Sequence, residues 1–234
     1  NYNNRKKTKI NGVPEVRYNG QGGLLDVQIH PDFINNNYIY IGFTDFLQKK
    51  KKRTFTSIVR ATLKNNNLTD HKIIYKADDK FYSNRSIHYG MRIVFDRKGY
   101  LYFPIGDRGN RDQAQLLNTP NGKIHRLNDD GSIPIDNPFI NNDNAIKSIW
   151  TYGNRNPQGL AIHPTSLMLF ETEHGPRGGD ELNILSSGKN YGWPEITYGK
   201  NYSGTTITKH THKKGMEQPI IHWTPSIAVC GIDF

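Results

Sequence analysis

Three stretches of the chain repeat one pattern, an apolar-alternating run, a polar turn and a second such run. Leu24-Leu25-Asp26-Val27-Gln28-Ile29-His30-Pro31 leads to Tyr38-Ile39-Tyr40-Ile41. Met91-Arg92-Ile93-Val94-Phe95-Asp96 leads to Tyr100-Leu101-Tyr102-Phe103, and Gly159-Leu160-Ala161-Ile162-His163-Pro164 leads to Leu167-Met168-Leu169-Phe170. The residues that open the turns, His30, Asp96 and His163, stand 66 and 67 residues apart. A nearly fixed period is the mark of repeat architecture. Further β-rich runs, Ser57 to Ala61 and Lys123 to Leu127, fill the space between, and a unit of four short strands plus a long loop is how a propeller blade is built. Amphipathic helical periodicity is nearly absent; Asp112 to Asn118 offers one short helix, stopped by Pro120 and Gly122. The expectation is an all-β propeller occupying residues 1–234 as one domain. At this period the chain holds about four blades at most, against the ~4–8 that close a ring, so either the blades are uneven or part of the ring is missing.

Composition agrees with a turn-rich β protein. The 234 residues include 22 Gly and 12 Pro, are 35% hydrophobic and 22% charged, and so fall outside coiled-coil, collagen-like and disordered classes. Lys and Arg number 31 against 21 Asp and Glu, a net charge of +10. Such an excess invites an anionic partner. The densest run, Lys49 to Arg53, lies between two apparent strands and reads as a solvated hairpin tip with few stacking aromatics, so nucleic acid is not expected as a partner. Cys230 is the single cysteine, which excludes an internal disulfide framework. No apolar run is long enough for a membrane span, and the opening Asn1-Tyr2-Asn3-Asn4 has neither an initiator Met nor a signal peptide, as expected of a processed form or a fragment.

Polar residues and glycine concentrate in the loops after the second strands: Ile105-Gly106-Asp107-Arg108-Gly109, Gly153-Asn154-Arg155-Asn156-Pro157-Gln158-Gly159, and Glu173-His174-Gly175-Pro176-Arg177-Gly178-Gly179-Asp180-Glu181. In a propeller such loops converge on one mouth of the central channel, where a ligand site is expected. His88 precedes a strand and could be a base or a histidine satisfied in a turn. Arg155 could be a donor to a developing anion or a surface residue of a Pro-terminated turn.

These segments, with Gly20-Gln21-Gly22-Gly23, His88-Tyr89-Gly90-Met91-Arg92, Gly122-Lys123-Ile124-His125-Arg126-Leu127 and Gly188-Lys189-Asn190-Tyr191-Gly192-Trp193-Pro194, occur in an order that resembles the soluble PQQ-dependent sugar dehydrogenases, the glucose/sorbosone dehydrogenase group, and within it the aldose sugar dehydrogenase branch. The resemblance covers nearly the whole chain. It implies a six-bladed propeller that binds pyrroloquinoline quinone (PQQ) and Ca²⁺ and oxidises C1 of an aldose to a lactone, with the C-terminal part of that ring expected to be missing from these residues. It places the catalytic base on His88. Arg155 and Asn156 match contacts to the quinone oxygens, and Arg155 would also stabilise charge as the carbonyl is reduced.

By the same resemblance the backbone carbonyls of Gly175 and Pro176 ligate Ca²⁺, while Glu181 and the backbone of Tyr191 hold a second, structural Ca²⁺. Gln21 and Asp107 match positions lining the sugar and cofactor pocket, although each also suits an ordinary loop. Tyr202 matches a cofactor-contacting aromatic and would serve equally as a core tyrosine. His174 stands where glucose-specific members carry Gln, which points to the broader aldose branch; Ile87 stands where they place an acid beside the base, which leaves His88 without an identified orienting group. Trp193 and Trp223 are assigned to packing.

The expected partners are aldose sugars and an external electron acceptor, with self-association through bare blade edges; the expected location is the periplasm or outside the cell. Two rival readings use the same fold: a non-catalytic binding module like the Hedgehog-interacting proteins, and a Ca²⁺-dependent lactonase.

Overall fold

The structure, a computed structural model, describes residues 7–234; Asn1-Tyr2-Asn3-Asn4 lies outside the described residues. Among the described residues the strands form three four-stranded sheets. The first contains β1 (Leu24–Ile29), β2 (Tyr38–Leu47), β3 (Lys50–Lys64) and β4 (Asn67–Tyr75). The second contains β5 (Val94–Phe95), β6 (Leu101–Ile105), β7 (Lys123–Leu127) and β8 (Ile149–Tyr152). The third contains β9 (Pro157–Ile162), β10 (Leu169–Glu173), β11 (Asp180–Leu185) and β12 (Ile221–Trp223). Every neighbouring pair is antiparallel and the strands follow chain order across each sheet. The three repeated hairpins are the first two strands of the three sheets, β1/β2, β5/β6 and β9/β10.

The sheets stack face to face in chain order, as consecutive blades of a β-propeller do. Period-two alternation sorts the core: on β2, Tyr40 faces the second sheet while Ile41 and Phe43 face the opposite way. On β6, Leu101, Phe103 and Ile105 face the first sheet and Tyr102 the third. Tyr40, Phe55, Ile58, Leu101 and Phe103 are wholly buried between the first two sheets, each contributing about 1.5–3 kcal/mol of apolar burial. Between the second and third sheets, Ile124 meets Leu160, Leu169 and Leu185. The far face of the first sheet is covered by Val16.

The residues that open the repeated turns share one task. The His30 ring nitrogen accepts the Asp32 N–H at 3.0 Å, Asp96 accepts those of Lys98 and Tyr100 at 2.9 Å, and His163 accepts that of Ser166 at 3.0 Å. Adjacent blades are stitched at the repeat distance: Asp26 accepts from Arg92 Nη1 (2.9 Å) and the Ile93 N–H (2.6 Å), and Arg97 Nη2 donates to the Pro164 carbonyl (2.6 Å).

Of the roughly four blades the period allows, three are complete sheets. Residues 224–234 run on without a strand partner along the third sheet, where the Thr172 hydroxyl donates to the Cys230 carbonyl (2.8 Å) and the Phe234 ring packs on His163 and Phe170. Two local expectations shift slightly. The basic run is not all turn, because Lys50 already pairs with Leu47 and Lys50 to Arg53 belong to β3. The short helix is a single 3₁₀ stretch, Arg111–Gln115. Among the described residues no helix is long and apolar enough to cross a membrane.

Candidate functional site

The loops that enter the first strand and leave the second strand of each sheet gather at one end of the blades. His88 lies in the irregular approach to β5, with a left-handed backbone (φ +52°). Its N–H donates to Gln21 Oε1 at 2.7 Å, and its Nδ1 lies 2.6 Å from Asp107 Oδ1. Asp107 follows the end of β6 and is only 2% exposed. The Trp193 indole N–H donates to Asp107 Oδ2 (2.8 Å), the Gly109 N–H to Oδ1 (2.6 Å), and the Asp107 N–H itself donates to the Arg155 carbonyl (2.7 Å). Burial pushes the Asp107 carboxyl up, but the hydrogen bond and charge of His88, with the Gly109 and Trp193 donors, outweigh it and hold the acid below the ordinary carboxylate range. An ionised carboxylate only accepts, so the proton between the pair sits on His88 Nδ1.

Asp107 is therefore the orienting group that the sequence left unidentified once Ile87 replaced an acid. Trp193, assigned to packing from sequence, helps to hold it, arriving from the long β11–β12 connection. Gln21, expected in the pocket lining, braces the His88 backbone.

Arg155 and Asn156 sit in the turn from β8 to β9, both buried. Arg155 Nη1 donates to the carbonyls of His174 (2.9 Å) and Gly175 (2.8 Å), and its guanidinium lies 5.4 Å from the Trp193 ring centre. Asn156 Oδ1 accepts the Gly90 N–H at 3.2 Å, tying this turn to the His88 loop. Glu173, at the end of β10, accepts the N–H groups of Arg155 and Asn156. Nothing in the sequence pattern marked Glu173 except an acid at a strand position that should be buried. Burial pushes its carboxyl up to about 7 even though these donors pull it down.

The Gly175 N–H donates to the buried Asp180 (2.9 Å), and a Cβ on Gly175 would come within 2.3 Å of the Gly178 carbonyl, so the loop closes only around glycine. Asp180 also accepts from the Ser226 hydroxyl (2.7 Å) and the Ala228 N–H (2.7 Å), which shapes an open cavity of about 820 Å³. His174, Gly175, Pro176, Lys200 and Tyr202 line it. Tyr202 is 74% exposed at its rim, so it is not the core tyrosine that was the alternative for it. Burial lowers the His174 pKa, and its Nε2 is enclosed without a hydrogen-bond partner.

Deeper in the third sheet a cavity of about 10 Å³ is bounded by Glu173, Glu181, Gly175, Tyr191 and Trp193, the size of one water or ion. Glu181 is pushed up to about 8 by burial and the Glu173 charge, and Glu171 is raised as well, for the same reasons. Glu171 Oε1, Asn154 Oδ1 and Asn183 Oδ1 are buried without partners. The Tyr191 hydroxyl is committed to the Ile184 carbonyl (2.7 Å) and the Ser186 N–H (2.9 Å), and its own N–H to the Tyr152 carbonyl (2.8 Å).

The sequence model described as "Glucose / Sorbosone dehydrogenase" matches residues 1–234. The chain is 44% identical over 227 residues to aldose sugar dehydrogenase YliI of Escherichia coli (strain K12), covering 96% of this chain and 61% of that protein. It superimposes on the crystal structure of the soluble aldose sugar dehydrogenase from Escherichia coli in the apo-form with a TM-score of 0.90 and 42% identity, covering 96% of this chain and 65% of that one. On the PQQ-bound aldose sugar dehydrogenase from Streptomyces coelicolor the TM-score is 0.78 at 30% identity, covering 98% of this chain and 62% of that one. The chain thus spans less than two thirds of the length of each of these relatives.

Proposed function

Because the chain belongs to the Glucose / Sorbosone dehydrogenase family, we propose that it oxidises the C1 hydroxyl of an aldose to the lactone with PQQ and Ca²⁺. The observation that carries this reading is the His88–Asp107 pair, 2.6 Å apart with its carboxylate buried, beside Arg155 and Asn156 at the loop end of the blades. With Nδ1 donating to Asp107, His88 Nε2 is the ring nitrogen that takes the hydroxyl proton, and Asp107 stabilises the imidazolium so formed. When bound, PQQ supplies the oxidant that accepts hydride from C1.

Arg155 suits an oxygen that gains negative charge, since its planar fork is fixed by the His174 and Gly175 carbonyls and keeps further donors. The open cavity next to it, with Lys200 at one side and Tyr202 at the rim, has room and positive charge for a planar tricarboxylate. The enclosed, partnerless His174 Nε2 fits a ligand with polar edges.

Residues that would hold Ca²⁺ are Gly175 and Pro176 through their carbonyls and, deeper, Glu181 with the main chain of Tyr191. Two buried carboxylates, Glu173 and Glu181, beside an ion-sized space are hard-oxygen donors. Such a cation would neutralise the charge that burial otherwise opposes. A purely binding role leaves unexplained why a carboxylate is buried against an imidazole at the mouth of the blades. The reading carries with it a periplasmic or extracellular location, an external electron acceptor and an aldose range broader than glucose.

The test is to load the purified protein with PQQ and Ca²⁺ and follow dye reduction with a panel of aldoses. Sugar-dependent reduction that requires the cofactor is expected; its absence with every aldose would overturn the reading.

A further inference from the structure

We propose that Arg108 is a positioning residue for His88, gripping the main chain on both sides of Ser86 and the ring of Tyr89 so that the base meets Asp107 in one geometry. The proposal rests on the reading of His88 as the base. Arg108 is 1% exposed. Its Nη2 donates to the Arg85 carbonyl at 2.5 Å and its Nη1 to the Ile87 carbonyl, while the guanidinium lies 3.5 Å from the centre of the Tyr89 ring. The grip falls on residues 85, 87 and 89, which alternate along the segment that carries His88.

That segment cannot hold itself. His88, Gly90 and Met91 have φ of +52°, +66° and +97°, and no sheet ladder begins until Val94. Strain of this kind persists only where surrounding groups over-determine it. Three other anchors act with Arg108: the Gln21 N–H donates to the Ser86 carbonyl at 2.8 Å while its Oε1 takes the His88 N–H, Asn156 takes the Gly90 N–H, and Thr56 donates to the Tyr89 carbonyl at 2.9 Å. Arg108 has the longest reach of these, from the Arg85 carbonyl to the Tyr89 ring, and it is the chain neighbour of Asp107. One dipeptide thus fixes both the ring of the base and the backbone beneath it.

A stability argument alone does not account for an arginine here. Its hydrogen-bond partners are main-chain carbonyls and, at 3.5 Å, the Thr54 hydroxyl, with no carboxylate among them, and its Nε is buried without a partner. Burying a guanidinium with no carboxylate hydrogen-bonded to it is expensive, and burial outweighs the through-space charge of Asp107; a well-packed apolar side chain of similar volume commonly gives a more stable core. What an apolar side chain cannot do is orient two carbonyls at once.

The experiment compares Arg108→Met and Arg108→Lys with the unmodified protein. Proton NMR follows the downfield His88 Nδ1–H held by Asp107, identified by its loss in His88→Gln. Kinetics follow kcat and KM after loading with PQQ and Ca²⁺, and thermal unfolding reports the fold. Arg108→Met is expected to lose or broaden the Nδ1–H signal and lower kcat about 100-fold, the effect of roughly 1 Å of misplacement, with KM for the sugar changed less than about threefold. Arg108→Lys, which keeps the charge and one donor, is expected to recover part of both. A folded Arg108→Met that keeps the signal and kcat, whatever its melting temperature, assigns Arg108 to stability alone and overturns the proposal. Should Arg108→Met fail to fold, an Arg108→Lys protein indistinguishable from the unmodified one overturns it equally. The NMR comparison needs no turnover, so a loaded protein inactive on all sugars would count against the proposed function without deciding the role of Arg108.

Discussion

At one end of the sheets His30, Asp96 and His163 accept hydrogen bonds from main-chain groups two to four residues further on, so each turn is closed by its own residues before its neighbours add contacts such as Arg97 to the Pro164 carbonyl. At the other end His88 is held by Gln21 and Asp107, and Asp107 by Trp193, across separations of 19 to 86 residues. The same repeated hairpins supply both ends. Where the closing partners are local, a substitution is felt mostly within its own turn. Where they come from other blades, a change at one group is felt by the rest, and effects there should not add.

Asp107→Asn should break the comparison most visibly. The amide keeps the shape but presents the wrong donor and acceptor to His88, and sugar turnover should fall by about 10²–10⁴, the usual share of general base catalysis, while circular dichroism shows the fold retained. Combined with Trp193→Phe, the loss should be less than the product of the two single losses, as steady-state kinetics would reveal.

The body of the sheets, between the two ends, answers to pH instead. Burial lowers the His125 pKa to about 3, so the folded protein keeps this ring neutral where the unfolded chain binds a proton. Its contribution to stability is present above the unfolded value of ~6.5 and is lost as pH falls towards the folded value, a loss of about 3 kcal/mol by pH 4. Urea unfolding of His125→Gln should show a shallower decline over that window.

Calcium should stabilise the loop end and leave the turn end as it was. Saturating Ca²⁺ at about 100 times its dissociation constant adds ~2.7 kcal/mol, and thermal unfolding should register it. Glu181→Gln should remove most of that rise, and chelator should reverse it in the unmodified protein. The smallest effect is expected at the turn end, where Asp96→Ala should lower stability by about 1 kcal/mol and leave sugar turnover unchanged. Self-association through the half-exposed Leu24, Val27 and Ile29 of β1, measured by light scattering, should respond to neither substitution.

Legibility in the sequence follows the same division. The hairpins β1/β2, β5/β6 and β9/β10 could be read because alternation and turn residues are local signals, and so could the resemblance that singled out His88, Arg155, Asn156, Gly175 and Pro176. The pairing of Asp107 with His88 could not, because nothing within either segment encodes a partner 19 residues away, and Trp193 reaches the site from 86 residues beyond Asp107. Its indole looks like packing until its N–H is followed to an acceptor. Glu171 and Glu173 alternate on a short strand that opens with Leu169 and Phe170, which is a legible oddity, yet their convergence with Glu181 depends on the β10–β11 register that sets Glu173 opposite Glu181.

The claim at the centre is that His88, set by Asp107, is the base of a PQQ-dependent aldose oxidation. The most direct measurement is sugar-dependent dye reduction by His88→Gln loaded with PQQ and Ca²⁺, beside a PQQ titration of the same protein. The account predicts unchanged PQQ binding with turnover reduced by about 10²–10⁴; a loaded His88→Gln protein that oxidises aldoses at the unmodified rate would contradict it.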